Sequence, residues 1–331
     1  MKLSYLDLTT TDPAFNLAME QYVFDSLPRD RMYMMLWQND NAIIIGKHQN
    51  TLAEINEAYV REKGIKVVRR LSGGGAVYHD MGNLNFTIIA DTEDSAQMDF
   101  RLFCQPVLNA LQKLGVKAEL NGRNDLTIDG KKFSGNAQYQ KNGRVMHHGT
   151  ILFDSDRSVL ANALQVDEEK IKAKGVKSVR SRVTNVRPHL PKDMTLPEFR
   201  ALLLQSILDE TPGQAYPLTD ADISAVKAIQ AERYDTWQWN YGASPACDLC
   251  KRRRFEGCGT VEAYLKLNHG RIADISFRGD FFSTEDPAGL AERLVGLSHQ
   301  HAVLEQALSQ IDVSRYFHGL DAEALLSLLC Q

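Results

Sequence analysis

The densest supply of ligand-capable groups lies in RRLSGGGAVYHDMGNLN, Arg69 to Asn85. It follows a short apolar run, Ile65 to Val68, that reads as a strand. Gly73, Gly74 and Gly75 carry no Cβ to hold a ligand away, so main-chain N–H groups can close on an anion. Arg69 and Arg70 enter this turn, and Tyr78, His79, Asp80, Asn83 and Asn85 leave it. The Gly-Lys-Ser/Thr ending of a P-loop is missing, and so is a G-x-G-x-x-G fingerprint. A nucleotide held here is therefore held in another way.

A second group of candidates sits in DLTI-DG-KKFSGNAQYQK-NG-RVMHHGTILF, Asp125 to Phe153. Asp129-Gly130 and Asn142-Gly143 are strong two-residue hairpin signals. With such turns Lys132 falls opposite Thr127, and Ser134 opposite Asp125. Period-two geometry then places Asp125, Lys132, Ser134, Asn136 and His147 on one polar face. Leu126, Ile128 and Phe133 take the other face, and Lys131 points away from Lys132. A bulge at Gly135 would break this register beyond that point. Asn124 and Asp125 offer hard oxygen ligands that suit magnesium, although an Asn-Asp pair is also a turn signal.

The elements that must position these groups read as a mixture of helix and strand. DPAFNLAMEQYVFDSL opens with Asp12 as N-cap and Pro13 in the first turn of a helix with one buried face. YMMLWQ and NAIIIGKHQN read as strands, the second ending in Lys47, His48 and Gln49. Helices are expected over Ala53 to Lys63, Asp99 to Leu114, Leu196 to Leu208 and Ala221 to Arg233. Asn240 to Arg254, with four consecutive basic residues, reads as a linker. A hairpin about His269-Gly270 and further helices then form a small α/β unit. By length the 331 residues suggest two domains.

Composition excludes several classes. Lys and Arg number 38 against 42 Asp and Glu, a formal charge of −4 that points to neither nucleic acid nor a membrane surface. No apolar run approaches the ~20 residues that span a bilayer, and MKLSYLDLTTTDPAF lacks the order of a signal peptide, so a cytoplasmic setting is expected. Cys104, Cys247, Cys250, Cys258 and Cys330 are too few for a disulfide framework. Cys247, Cys250 and Cys258 could ligate zinc with His269, but C-x-x-C lacks its second matched pair. Reduced thiols and no structural metal are expected.

The glycine-rich stretch closely resembles the signature of the lipoate–protein ligase A family, within the biotin/lipoate protein ligase fold. DPAFNLAMEQ, GRNDLTIDGKKFSGNA, HHGTILF, KGVKSVRSRVTN and WQWNYG resemble that family too, in its order. The likeness is strong over residues 1 to 245 and loose beyond. It implies an α/β (α+β) catalytic domain over 1–245 with a mixed or antiparallel sheet, and a small α+β accessory domain over 246–331. Lipoate and Mg-ATP would give lipoyl-AMP and pyrophosphate. A lysine on a carrier would then take the lipoyl group. The implied carriers are lipoyl domains of 2-oxoacid dehydrogenase acyltransferase subunits and the glycine-cleavage H protein.

Carried onto this chain, the resemblance makes Lys132 the essential lysine that contacts lipoate and nucleotide. Arg70 matches the arginine at the phosphates or carboxylate, with Arg69 in a structural pair. Gly75, Ala76, Val77, Tyr78 and Asn83 join Arg70 and Lys132 as adenylate-binding candidates. Ser72, Gly74 and His79 join Lys132 around lipoate, and Asn124 and Asp125 take magnesium. Lys47 to Gln49 form a pocket wall, His148 lies near the ribose or packs, and the basic run Val166 to Arg182 covers the adenylate. An ATP-independent lipoyl or octanoyl transferase of the same fold needs a pocket thiol, which HHGTILFDSD does not offer. A non-catalytic lipoyl-AMP binder is the other alternative.

Overall fold

The computed structural model describes residues 2–92, 99–164, 183–241 and 249–330. The X-Gly turns hold their backbone in the left-handed region. Asp129, Asn142 and His269 have φ of 49, 52 and 48°, each followed by a glycine at about +70°. Two successive positive φ values match the right-handed twist of the strands they join.

Among the described residues, eight strands form one mixed sheet in the order β11-β1-β2-β6-β10-β9-β8-β7. These are β1 (Lys2–Asp7), β2 (Arg31–Trp37), β6 (Asn83–Asp91), β7 (Ala118–Asn121), β8 (Asp125–Ile128), β9 (Lys131–Lys141), β10 (Arg144–Leu152) and β11 (Gly213–Ala215). β1 runs parallel to β2 and β11, and the other pairs are antiparallel. Alternation along β2 feeds two cores. Met34 and Leu36 pack with helices Phe100–Lys113 and Leu196–Glu210, whereas Tyr33, Met35 and Trp37 pack with Pro13–Ser26. A smaller sheet, β4-β3-β5, comprises β3 (Ala42–Ile45), β4 (Lys66–Arg69) and β5 (Val77–His79), and carries the glycine loop between β4 and β5.

Lys132 pairs with Thr127 as the turn predicts, but the bulge comes earlier than Gly135. Ser134 then faces Leu126, and Gly135 faces Asp125. Phe133 is the extra residue, fully buried with Leu126 and Ile128, so a large apolar side chain entering the core breaks the register. The helix expected over Ala53 to Lys63 is two short ones, Thr51–Glu54 and Glu57–Glu62, with Asn56 capping the second. Asp12 occupies its N-cap position without capping, because its carboxylate turns to Lys66 at 3.1 Å and Gln230 at 3.0 Å.

Residues 242–248, which hold the expected boundary at 245/246, lie outside the described residues. The basic run that follows is a strand and not a linker. β12 (Leu249–Phe255) pairs with β13 (Gly259–Asn268), which pairs with β14 (Arg271–Gly279). Arg252 lies directly opposite Glu262 at 3.3 Å and Arg254 reaches Asp280 at 3.7 Å, so cross-strand charge pairing accommodates the run. Helices Pro287–Leu294, His301–Leu308 and Ala322–Cys330 cover this sheet around Val261, Phe277 and Phe317. Cys258 is buried in that core and Cys250 is exposed, while Cys247 lies outside the described residues.

The turn after β14 fastens the small unit to the glycine loop. Gly74 donates its N–H to the Phe281 carbonyl at 3.2 Å, and Gly279 donates to His48 at 2.8 Å. Phe282 is fully buried against Phe100 and Ala137, with the Arg123 guanidinium 4.4 Å over its ring. A Cβ at Gly74, where φ is +89°, would stand 2.9 Å from that ring. Phe282→Ala should therefore cost roughly 3 to 5 kcal/mol of unfolding free energy. Chemical denaturation measures it, and a loss within error of zero would contradict this packing.

Candidate active site

The cavity lies where the glycine loop crosses β9 and β10. Its walls include Leu17, Trp37, Ile44, Arg70, Gly74 to Val77, His79, Asn85, Asn124, Lys132, Gly135 to Ala137 and His148 to Thr150. Leu17, Trp37, Ile44 and Ala137 make one side apolar. Lys132, Asn136 and the glycine loop make the other polar. Lys132 lies beside Gly135, where an added Cβ would stand 2.8 Å from its Nζ, so the glycine leaves room for the ammonium. That ammonium pairs with Asp125 at 2.7 Å and its side chain is 37% exposed. Lys131, next to it, is exposed on the far side of the strand.

Arg70 is buried and works mainly on the protein. Nε donates to Ser72 Oγ at 2.9 Å and Nη1 to the Ile44 carbonyl at 3.2 Å. Nη2 donates to the carbonyls of Gly73 at 2.7 Å and Gly75 at 2.9 Å. Four of five N–H groups are thus committed among the described residues, leaving one on Nη1. With those carbonyls drawn onto Arg70, the N–H groups of Gly75 and Ala76 have no partner among the described residues. Among the described residues Arg69 makes no ion pair. It holds the carbonyls of Gly46, Lys47, Gln49 and Trp239 and the Thr51 hydroxyl. Burial pulls both guanidinium groups down to about 10, which leaves them charged at neutral pH.

Other expected residues divide between cavity and scaffold. Gly74, Gly75, Ala76, Val77 and His79 reach the cavity. Tyr78 faces the opposite side of β5, packing with Ile43 and Ile45 while its hydroxyl donates to Asn41 at 3.1 Å. Period two along β5 accounts for that. Asn83 is also behind the wall, its Nδ2 donating to Asn85 Oδ1 at 2.9 Å, so Asn85 is the asparagine that lines the cavity. Ser72 is buried between Arg70 and His148 and does not line it. Lys47 and His48 border a separate cleft against Ser283 to Asp286, and the Gln49 amide oxygen accepts from Gly46 N–H, so this loop is not the expected pocket wall. Asp80 fixes its own turn by accepting from Gly82 and Asp156. His147, expected on the Lys132 face, is sealed beside Phe86 and Phe103. The run Val166 to Arg182 lies outside the described residues.

Leu17, Trp37, Ile44 and Thr150 line the cavity without being expected there, and two further side chains behind the lining join them. Glu20 and Thr87 are buried in the wall, with Thr87 Oγ1 donating to Glu20 at 2.5 Å. Glu20 lies one turn from Leu17 on a helix whose apolar spacing alone suggested a single buried face. The polar residues buried there, Asn16 and Glu20, were the signal available.

His79 Nδ1 accepts from Asn39 Nδ2 at 3.1 Å, since the Asn39 amide oxygen is taken by Asn16. The ring proton therefore sits on Nε2, which is buried with no hydrogen-bond partner. Cys104 contacts His147 Nε2 at 3.6 Å, but burial pushes the thiol up to about 12. Among the described residues no cysteine lines the cavity.

A glycine loop meeting a lysine-bearing hairpin over a half-apolar cavity on a mixed sheet defines the biotin/lipoate-ligase class of fold. The model of the lipoyl protein ligase A/B catalytic domain matches residues 12–208, and that of the bacterial lipoate protein ligase C-terminus matches 244–329. The chain is 43% identical to lipoate-protein ligase LplJ of Bacillus subtilis, over 96% of this chain and 97% of that one. It is 30% identical to a bipartite lipoate protein ligase of Thermoplasma acidophilum, with TM-score 0.66 over 75% of this chain and 100% of that one. A lipoate-protein ligase A crystallised with ATP shares 29% identity, with TM-score 0.63 over 73% of this chain and 99% of that one. The chain belongs to the lipoate–protein ligase family and is an enzyme of the ligase class.

Burial pushes His48, His79 and His147 each down to about 3. Below the ordinary histidine value near 6.5 the unfolded chain takes up protons that the folded chain refuses. Stability from these groups is thus full above about 6.5 and is lost as pH falls toward 3, at about 1.4 kcal/mol per pH unit for each histidine. Unfolding near pH 5 should take up three more protons than at pH 8 from these groups. Calorimetry across that range checks it, and a flat profile would contradict the burial.

Proposed function

We propose that the chain joins lipoate to ATP in this cavity, releasing pyrophosphate, and then passes the lipoyl group from lipoyl-AMP to a carrier lysine. The observation that carries the reading is Lys132, set beside Gly135 and lining one cavity together with the glycine loop. A free carboxylate does not acylate an amine in water, so a leaving group must be installed, and two anions must first be brought together. A point-charge ammonium is suited to bridging a carboxylate and an α-phosphate in turn. The partnerless N–H groups of Gly75 and Ala76 would bind the nucleotide beside it. Arg70 shapes that cradle and has one N–H left for an anion.

The apolar side, Leu17, Trp37, Ile44 and Ala137, suits the lipoyl chain, with His79 Nε2–H as a donor at its polar edge. Asn124 and Asp125 would supply an amide oxygen and a carboxylate of the hard kind magnesium takes, with the carboxylate shared with the Lys132 ammonium at 2.7 Å. Bound there, the ion would neutralise phosphate charge. The Thermoplasma ligase described together with its E2 lipoyl domain supports a lipoyl domain as acceptor, and the family resemblance alone extends the reading to the glycine-cleavage H protein. No helix among the described residues is long and apolar enough to cross a membrane.

Lys132→Ala should lower lipoate-dependent pyrophosphate release by on the order of a hundredfold or more while the fold survives. Lys131→Ala should stay within about twofold of the parent, because its side chain leaves the opposite face. Equal losses would contradict the assignment. Transfer without ATP would instead support the transferase reading, and binding of lipoyl-AMP without turnover the non-catalytic one.

A further inference from the structure

A chain of buried hydrogen bonds links the apolar wall of the cavity to its glycine loop. Trp37 Nε1 donates to Thr87 Oγ1 at 2.8 Å, and Thr87 donates to Glu20 Oε1 at 2.5 Å. His148 Nδ1 lies 3.0 and 3.1 Å from the two Glu20 oxygens, and His148 Nε2 lies 2.6 Å from Ser72 Oγ. Arg70 Nε donates to that same Ser72 oxygen at 2.9 Å. Glu20, Thr87 and Ser72 are each at most 1% exposed.

The directions of these bonds follow from the inventory of donors. Arg70 can only donate, so Ser72 Oγ accepts from it. The Ser72 hydroxyl proton needs an acceptor, and His148 Nε2 is the one beside it. His148 must then carry its proton on Nδ1, which donates to Glu20. The bond from Trp37 through Thr87 ends on the same carboxylate. Every donor in the network therefore points toward Glu20, from both sides.

We propose that Glu20 and His148 are positioning residues for adenylate formation. They fix the Ser72 hydroxyl, which fixes the Arg70 plane, and Arg70 holds the Gly73 and Gly75 carbonyls that set the exposed N–H groups of the loop. The proposal rests on the adenylate reading of the cavity given above. A buried relay with every proton assigned has one low-energy arrangement, so the cradle is held before ligand arrives. Leucine at position 20 would remove the one acceptor that His148 Nδ1–H has among the described residues. The ring then has to carry its proton on Nε2, and Ser72 receives two donors while its own proton loses its acceptor.

Nitrogen-15 NMR of histidine-labelled wild-type protein should find His148 protonated on Nδ1 alone. Protonation on Nε2 alone, or on both nitrogens, overturns the proposal without any variant. Glu20→Leu should move the proton to Nε2 and lower kcat for lipoate-dependent pyrophosphate release by on the order of ten- to a hundredfold. Ser72→Ala should cause a similar loss, and the double variant should lose little more than Ser72→Ala alone, because both act through one relay. Additive losses, or full kcat in Glu20→Leu, would overturn it. Wild-type protein that releases no pyrophosphate would instead count against the adenylate reading, while the NMR result stands apart.

Discussion

Arg70 turns the glycine loop inside out. A guanidinium without a carboxylate beside it is costly to bury, and here carbonyl oxygens from Ile44, Gly73 and Gly75 supply the compensating negative ends of their dipoles. Drawing those carbonyls inward leaves N–H groups for a ligand and places glycines where a side chain would collide. Arg69 does the same for the adjoining loop after β3 and ties it to Trp239 and Thr51. A change at either arginine would remove the cation and strand several buried carbonyls together. The cavity wall is therefore made of backbone held by charge, and the Lys132 ammonium, paired with Asp125, lines the same cavity.

Much of this was legible in sequence because it depends on local rules. The X-Gly turns fixed two hairpins, and alternation from the Asp129-Gly130 turn put Asp125 and Lys132 on one face, where they pair at 2.7 Å. Three adjacent glycines announced a close backbone approach. Period two, applied through β5 and not only to β9, would also have separated Val77 and His79 from Tyr78. The family resemblance named a stretch, and the alternation decides which side chains within it reach the cavity.

What was not legible depends on contacts far apart in the chain. The bulge at Phe133 arises because its ring enters a core shared with Phe153 and Phe199, which no local pattern encodes. Glu20 lies on a helix whose pattern shows only its apolar face, and its meaning comes from Thr87 and His148, on two different strands. The strand nature of the Lys251–Arg254 run depends on Glu262 and Asp280 across the small sheet. Gly74 is glycine partly because Phe282, two hundred positions on, lies against it. In each case the residue type was visible and its partner was not.

The central claim is that one cavity joins lipoate to AMP and keeps the product for the carrier. The most direct test is to incubate the protein with lipoate and Mg-ATP without acceptor, isolate it, and identify the bound species by mass spectrometry. Bound lipoyl-AMP that disappears when a lipoyl domain is added, with one lipoyl mass gained by that domain, is the predicted result. Protein that retains only unreacted ATP and lipoate, yet still lipoylates the domain, would contradict it.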